Sequence, residues 1–524
     1  MFVIYSSLGA MRQLIAVLLL CVCARASAAP PRQTYRLTAT LDPVAHRVDG
    51  QLQIEFVNHS AREVSELFFH LYPNAFESER TVFMREGGGK IRGKALEQRG
   101  RIEVLRLTSE DGTDLLTVSD DELVPDDHTQ LRVPLPRPLQ PGERLALSAR
   151  FRTTLPEIVA RSGYAGSFHM LGQWFPKLAR LEESGEWKSF PYHGLGEFYA
   201  DFADYELTLR VPRGYVCAAG GVRVESRDEG EVRVERFVSE NVHDISAACD
   251  PTFERTPARA GAIAIEVYAP RGYGAAAQRQ AQLLAAGLRY FSAAYGAYPY
   301  PQLTAVIPPR AASGAAGMEY PTLLLSGGPW WALPSGLPDP DHDVIAIHEL
   351  AHQWFSGMIA SDEVSLPMLD EGLAQWSSLE FLRTHYRPRL DPFDLQEATF
   401  LFRGLPAPSS LLPVTQYRYQ DLARAVYLRP ARVLNDLERR YGRPKLMAAM
   451  RRYALAQRFR HPGLPEFYAA FDAELGPGFA ARELQPALSG ERDLASNGPA
   501  RPKRWHFLPD LWFAIQTLLR VIGP

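Results

Sequence analysis

Two histidines and a glutamate are spaced so that they could hold a metal ion and use it. His348, Glu349 and His352 form an HExxH motif inside an apolar pattern with helical spacing. Positions i and i+4 lie on one face of a helix, so both imidazoles can reach one ion. Imidazole suits zinc, and three protein ligands with one open position are typical of a catalytic zinc site. The motif therefore predicts that His348 and His352 are metal ligands.

The third ligand must come from another element. The extended His-x-x-Gly-x-x-His pattern is absent, and Glu371, which follows Leu369-Asp370 at the start of the next predicted helix, is the better candidate. Glu349 is predicted to be the general base, which accepts a proton from the attacking water and passes it to the leaving amine. The alternative is a pair of histidines without an ion. Apolar flanks argue against it, because buried charges are costly unless paired or bound to a metal.

The elements that would position these residues divide the chain in two. Residues 30–255 contain runs that alternate apolar and polar residues, which predicts an antiparallel β domain. Residues 256–490 mix strands and helices, among them a helix from Ala275 to Tyr295, and become mostly helical toward the end. We therefore predict a multidomain α+β protein, with an N-terminal antiparallel β domain followed by an α/β catalytic domain that ends in helices.

Both ends of the chain differ in sequence pattern from the two predicted domains. Residues 1–28 contain an eleven-residue apolar run between Arg12 and a small-residue cleavage pattern, which predicts a signal peptide and export to the periplasm or the extracellular space. Residues 491–524 read as a linker and an amphipathic tail, which docks either on the protein or on a membrane surface. Cys217 and Cys249 then form a disulfide or remain two buried thiols.

Composition excludes some classes of protein. The 524 residues carry 57 Lys and Arg against 60 Asp and Glu, a formal net charge of -3. That balance argues against a protein that mainly binds nucleic acid. No apolar run reaches the roughly 18 residues of a membrane-spanning helix. The oligomeric state is not indicated by the sequence.

Three motifs together resemble a known family. Eighteen residues separate His352 of HELAHQWFSG from Glu371-Gly372, and the upstream segment Gly317-Met318-Glu319-Tyr320 matches a Gly-x-Met-Glu-Asn motif with Tyr in place of Asn. In these features the chain resembles the membrane alanyl aminopeptidase family of zinc metallopeptidases, the gluzincin aminopeptidases, which include the leukotriene hydrolases. The resemblance implies a thermolysin-like catalytic domain and one zinc ion per chain.

The resemblance also implies roles for further residues. Gly317, Met318 and Glu319 would bind the substrate, and Glu319 would pair with its free α-amino group. Tyr427 would stabilise the oxyanion of the tetrahedral intermediate. Its surroundings depart from the family's Tyr-x-Lys-Gly-Ala, since Arg and Pro replace Lys and Gly, and Tyr417 and Tyr419 are alternatives for the role.

The function that follows is a zinc-dependent aminopeptidase, which removes N-terminal residues from peptides with a free N-terminus. Two alternatives stay open at this point. One is a zinc epoxide hydrolase of the same family, in which the ion would open the epoxide as a Lewis acid. The other is an exported binding protein that retains a relic of the zinc site.

Overall fold

The computed structural model describes residues 32–91, 95–330, 341–386, 391–393 and 408–492. The predicted signal peptide and the predicted amphipathic helix of the tail lie outside these residues. Among the described residues, no helix has both the length and the apolar character needed to cross a membrane.

The strands are short to medium in length, and most of them lie in the first half of the chain. In chain order they are β1 (Gln33–Asp42), β2 (Arg47–Val57), β3 (Val64–His70), β4 (Arg101–Ser109), β5 (Gln130–Leu139), β6 (Arg144–Thr154), β7 (Gly163–Ala165), β8 (Phe168–Leu171), β9 (Lys177–Leu178), β10 (Arg180–Leu181), β11 (Trp187–Lys188), β12 (Ala203–Pro212), β13 (Val216–Ala219), β14 (Val222–Glu229), β15 (Val232–Val242), β16 (Ala247–Asp250), β17 (Phe253–Ala260), β18 (Ile263–Pro270), β19 (Gln302–Val306) and β20 (Leu323–Leu325).

Among the described residues, two short α-helices lie in the first half of the chain and the other α-helices lie in the second half. They are α1 (Val82–Arg85), α2 (Gly88–Ile91), α3 (Gly274–Tyr295), α4 (Asp341–Ala351), α5 (Glu371–Tyr386), α6 (Tyr419–Leu422), α7 (Arg429–Tyr441), α8 (Arg443–Ala456), α9 (Leu464–Leu475) and α10 (Gln485–Ser489).

The N-terminal domain is built on a seven-stranded sheet with the order β14-β15-β12-β1-β2-β6-β4. Leu37 of β1 lies opposite Leu52 of β2 and Leu207 of β12, and all three side chains are buried, so alternation along the strands produces one apolar face. The β1–β12 pair is parallel, which departs from the predicted antiparallel pattern. The two strands are far apart in the chain, and such a long connection permits a parallel pairing.

The second region contains the sheet β17-β18-β19-β20, in which β18, β19 and β20 are parallel. Helix α3 packs on β17 and β18 and on α4, and α5 packs on α4 and α7. The predicted domain boundary between residues 255 and 256 lies inside β17. The fold class predicted from the sequence, a multidomain α+β protein with a β-rich N-terminal domain, an α/β region and C-terminal helices, is confirmed.

A disulfide joins two strands of the N-terminal domain. Cys217 of β13 and Cys249 of β16 are cross-strand partners with their Cα atoms 4.2 Å apart, and their sulfur atoms are bonded. The structure therefore contains the disulfide and not the two free thiols that the sequence left as the alternative.

Candidate active site

Helix α4 presents both histidines of the HExxH motif to the same point. Its opposite side is anchored by Ile347 and Leu350, which are fully buried. The helix ends at Ala351, but the N–H of His352 still donates to the carbonyl of His348 at 3.3 Å, so the helical spacing continues for one more residue. The Nε2 atoms of His348 and His352 consequently lie 3.0 Å apart.

Glu371, the first residue of α5, completes the group. Its Oε2 lies 3.0 Å from Nε2 of His348 and 3.2 Å from Nε2 of His352. Two imidazole nitrogens and one carboxylate oxygen thus converge on one point, and this donor set could bind a metal ion. His348, His352 and Glu371, the three predicted metal ligands, are brought together by the structure.

Asp370 orients His352 through Nδ1, the ring nitrogen that does not face the other predicted ligands. Its Oδ1 lies 2.5 Å from Nδ1 of His352, and the carbonyl of Phe355 lies 3.1 Å from the same nitrogen. When Nδ1 carries the proton and donates it to these oxygens, the lone pair of Nε2 is free for an ion. Burial opposes a charge on His352, but Asp370, Glu371 and Glu319 hold its pKa well above the usual range in the metal-free protein. An ion bound at Nε2 would therefore displace a proton from this imidazole.

Asp370→Asn should weaken metal binding about 10-fold to 100-fold, because the amide keeps the volume of the carboxylate but polarises the imidazole of His352 less. Competition with a chromophoric chelator measures the dissociation constant directly. Melting temperatures of the metal-free proteins serve as the control for folding. An unchanged metal affinity in a folded variant would contradict the orienting role of Asp370.

Glu349 lies beside the metal ligands without being one of that group. Its carboxylate is buried and faces the backbone of Gly317, where a Cβ atom would approach Oε1 to 3.6 Å. Gly317 has a φ of 68°, a conformation that glycine adopts at little cost. Burial raises the pKa of Glu349 to about 8, with His352 opposing and Glu371 adding to the shift.

Tyr427 reaches the site from a stretch of π-helix, Ala423–Leu428, between α6 and α7. Pro430 has no N–H and its ring crowds the carbonyl of Val426, which accounts for the wider turn. Gly372 lets this turn approach α5, because a Cβ there would lie 2.6 Å from Pro430. The hydroxyl of Tyr427 donates to Oε1 of Glu371 at 2.6 Å. Burial and Glu371 raise its pKa, so the hydroxyl stays protonated and able to donate.

The segment Gly317–Tyr320 runs alongside the HExxH helix. The N–H of Met318 donates to the carbonyl of Leu325 in β20, and the N–H of Leu325 donates back to Met318 at 2.8 Å. Gln353, the residue after the motif, fixes the other end of the segment. Its Oε1 accepts from the N–H of Thr322 at 2.8 Å, and its Nε2 donates to the carbonyl of Tyr320 at 3.2 Å.

These contacts place the carboxylate of Glu319 next to Glu349 and His352. Ligand atoms of Glu319, Glu349 and His352 all lie within 4.8 Å of one another. Glu319 is 4% exposed. Burial raises its pKa well above the usual range, His352 opposes the shift, and Asp370 and Glu349 add to it.

A buried ion pair from the N-terminal domain supports the same segment. Nε of Arg161 donates to Glu197 at 3.0 Å, and Nη1 donates to the carbonyls of Ala316, at 3.3 Å, and Gly317. Arg161 and Glu197 are both almost fully buried. The guanidinium therefore ties the loop that precedes Glu319 to the first domain.

The structure brings seven of the predicted site residues together: His348, Glu349, His352, Glu371, Tyr427, Gly317 and Glu319. Met318 lies between Gly317 and Glu319, but its side chain is buried in a hydrophobic cluster. Tyr417 and Tyr419, the alternatives to Tyr427, are not hydrogen-bonded to the predicted metal ligands in the described part of the chain, although Tyr417 lies in the hydrophobic cluster against which Tyr427 packs. The hydroxyl of Tyr417 donates to the carbonyl of Ser409 at 2.7 Å, and Tyr419 is 58% exposed. Sequence reasoning missed Asp370 and Gln353, although each adjoins a predicted site residue. It also missed Arg161 and Glu197, for which the sequence holds no local signal.

Several solved structures of M1 zinc metallopeptidases have a fold similar to that of this chain. The chain is similar to the M1 zinc metallopeptidase of Deinococcus radiodurans, with 16% sequence identity, a TM-score of 0.62, and coverage of 88% of this chain and 95% of that one. A variant of that enzyme bound to a Tyr-Ser-Ala substrate matches at 17% identity and a TM-score of 0.60, over 88% and 94% of the two chains.

A two-domain M1 zinc metallopeptidase variant bound to L-tryptophan matches at 17% identity with a TM-score of 0.61, over 88% of this chain and 95% of that one. At this identity the likeness establishes the fold, which is that of the M1 zinc metallopeptidases. No family model matches the sequence, and no curated protein is significantly similar to it.

Proposed function

We propose that the protein is a zinc-dependent aminopeptidase, which removes N-terminal residues from peptides with a free N-terminus. The observation that carries this proposal is the carboxylate of Glu319, held within 4.8 Å of ligand atoms of both Glu349 and His352. A buried carboxylate at this position can pair with an ammonium group on the residue whose carbonyl is attacked. An internal peptide segment would leave that charge unpaired.

His348, His352 and Glu371 would hold the zinc ion. Bound zinc supplies Lewis acidity and lowers the pKa of water to about 7. Glu349 accepts the proton of the attacking water and returns it to the departing amine. The charge of a nearby dication favours the carboxylate form of Glu349, which brings its burial-raised pKa back toward neutral pH.

Tyr427→Phe should lower kcat about 100-fold to 1000-fold with a small change in KM, because the variant loses the hydroxyl that would donate to the oxyanion. The hydroxyl already lies 2.6 Å from Glu371 and so stands at the edge of the metal site. Steady-state kinetics on an amino-acid anilide measure the effect.

Tyr417→Phe is the matched control, since the hydroxyl of Tyr417 donates to the carbonyl of Ser409 and forms no hydrogen bond with Glu371 in the described part of the chain. This variant should keep its kcat. Equal losses in the two variants would assign the effect of Tyr427→Phe to packing and would contradict the oxyanion role.

The proposed function is tested by comparing an unblocked amino-acid anilide with its N-acetylated form. The unblocked substrate should be cleaved, the acetylated one should be cleaved far more slowly, and a chelator should stop both reactions. Equal rates on the two substrates would contradict the role of Glu319. No hydrolysis of any anilide or peptide panel by the zinc-loaded protein would contradict the peptidase itself.

We also propose that the protein is exported, to the periplasm or the extracellular space. The predicted signal peptide motivates this proposal, and the Cys217–Cys249 disulfide supports it, because disulfides persist in oxidising compartments. Intact-mass measurement of the protein from its native host tests it. A mass that includes residues 1–28 would contradict cleavage of the signal peptide.

A further inference from the structure

Thr322 lies in a tight turn directly after the segment Gly317–Tyr320. The carbonyl of Tyr320 accepts from the N–H of Leu323 at 3.0 Å, so a β-turn forms with Pro321 and Thr322 at its centre. The φ of Thr322 is 63°. Proline at the second position and a positive φ at the third are typical of a type II turn, whose third position is usually glycine or asparagine.

This backbone conformation is costly for threonine. Its side chain branches at Cβ, and a positive φ is rare for β-branched residues. Among the described residues, Thr322 is the only β-branched residue that has one. Strained conformations of this kind persist only where the surrounding contacts over-determine them, and they are concentrated at functional sites. The contacts that hold Thr322 must therefore offset the cost.

Three hydrogen bonds from three different elements hold Thr322, which is 1% exposed. Its N–H donates to Oε1 of Gln353, the residue after the HExxH motif, at 2.8 Å. Its carbonyl accepts from the N–H of Thr304 in β19 at 2.9 Å. Its hydroxyl accepts from the N–H of Gly221, in the turn between β13 and β14, at 2.8 Å. The last of these bonds joins the turn to the N-terminal domain.

Only the bond to Gly221 requires a hydroxyl at this position. Glycine in place of Thr322 would adopt the positive φ at little cost and keep both backbone bonds, but the buried N–H of Gly221 would lose its acceptor. The two turns lie close together, since a Cβ on Gly220 would come within 3.2 Å of the carbonyl oxygen of Pro321. The strained threonine therefore supplies a link between the domains that glycine could not.

Thr322 lies three positions after Glu319, and Gln353 ties together the residues between them. Its side chain bonds both to the N–H of Thr322 and to the carbonyl of Tyr320. Displacement of the turn would therefore displace the backbone beside Glu319. We propose that Thr322 is a positioning residue, which acts through its link to Gly221 to hold the carboxylate of Glu319 in place.

This inference rests on the proposed function, in which Glu319 pairs with the α-ammonium group of the peptide. Loss of the link should weaken recognition of that group. The metal site should stay intact, because none of the three hydrogen bonds that Thr322 makes involves a predicted metal ligand. A role in folding alone predicts a lower melting temperature with unchanged recognition of the ammonium group.

The experiment compares two competitive inhibitors that share a metal-binding group: L-leucine hydroxamate, and 4-methylpentanohydroxamic acid, which lacks the amine. The native protein should prefer the amine-bearing compound. Thr322→Val keeps the shape of the side chain without its hydroxyl, and should lower this preference about 10-fold, as expected when one charge-assisted contact is weakened. Thr322→Ser, which keeps the hydroxyl, should retain the preference. Zinc content should stay at one ion per chain in all three proteins.

Thr81→Val is the matched control, because Thr81 is also buried and its hydroxyl donates to the carbonyl of Ala75 at 2.7 Å. This variant should melt at a lower temperature and keep the native preference. If Thr322→Val does not fold, Thr322→Gly replaces it, since glycine accepts the positive φ, and it should show the same loss.

Three results would overturn the role of Thr322. They are a native preference in the folded variant that lacks the hydroxyl, an equal weakening of both hydroxamates, and a loss in Thr322→Ser as large as that in Thr322→Val. Each of these results leaves the proposed function standing. Equal binding of the two hydroxamates by the native protein would contradict the proposed function itself.

Discussion

Glu349→Gln should lower kcat about 100-fold to 10,000-fold while the protein keeps its metal ion. The amide has the shape of the carboxylate but cannot accept the proton of the attacking water. Glu349 lies outside the convergent group formed by His348, His352 and Glu371, so its substitution leaves those three ligands intact.

Metal content and kinetics, measured on the same sample, test this expectation. One zinc ion per chain with a greatly reduced kcat and a similar KM is the expected result. A variant that loses the ion would make Glu349 a ligand. A variant that keeps both the ion and its kcat would show that another group accepts the proton.

Removal of the metal ion should abolish hydrolysis, and one equivalent of zinc should restore it. The same treatment should lower the melting temperature, because a ligand that binds only the folded state stabilises it by about 4 kcal/mol when its concentration is 1000 times Kd. The side chains of His348, His352 and Glu371 lie within 3.2 Å of one another, so zinc would bind with little rearrangement.

Glu371→Gln tests whether the loss of activity comes from the loss of this metal ion or from an unspecific effect of the chelator. The variant loses the charged ligand that α5 supplies, and zinc should restore its activity poorly even at an excess. Full activity after exhaustive removal of metal, verified by elemental analysis, would contradict a metal-dependent mechanism. Scanning calorimetry of both proteins with and without zinc gives the change in stability.

The local patterns of the sequence predicted much of the fold. Alternation of apolar and polar residues marked β1, β2, β12 and β15, because each of these strands buries one face. The helix predicted from Ala275 begins one residue earlier, at Gly274. The spacing of His348 and His352 was sufficient to predict that they share a face, since that relation depends only on the helical repeat.

Contacts between distant segments could not be predicted in this way. Arg161 and Gly317 are 156 positions apart, and no periodicity links them. The parallel pairing of β1 and β12 depends on the path of the chain between them. The π-helical turn at Tyr427 follows from Pro430, but its position against Glu371 depends on how α5 and α7 pack.

The contact between Arg161 and the carbonyl of Gly317 bears on whether the second domain could be produced as a separate, working fragment. A fragment that starts near β17 would contain all three predicted metal ligands and Glu349, and would still lack the guanidinium that holds the loop before Glu319. Such a fragment would retain the means to bind zinc but would grip a peptide's N-terminus loosely. Under the proposed function, both domains would therefore be needed for catalysis, and the second domain alone would not replace the whole chain.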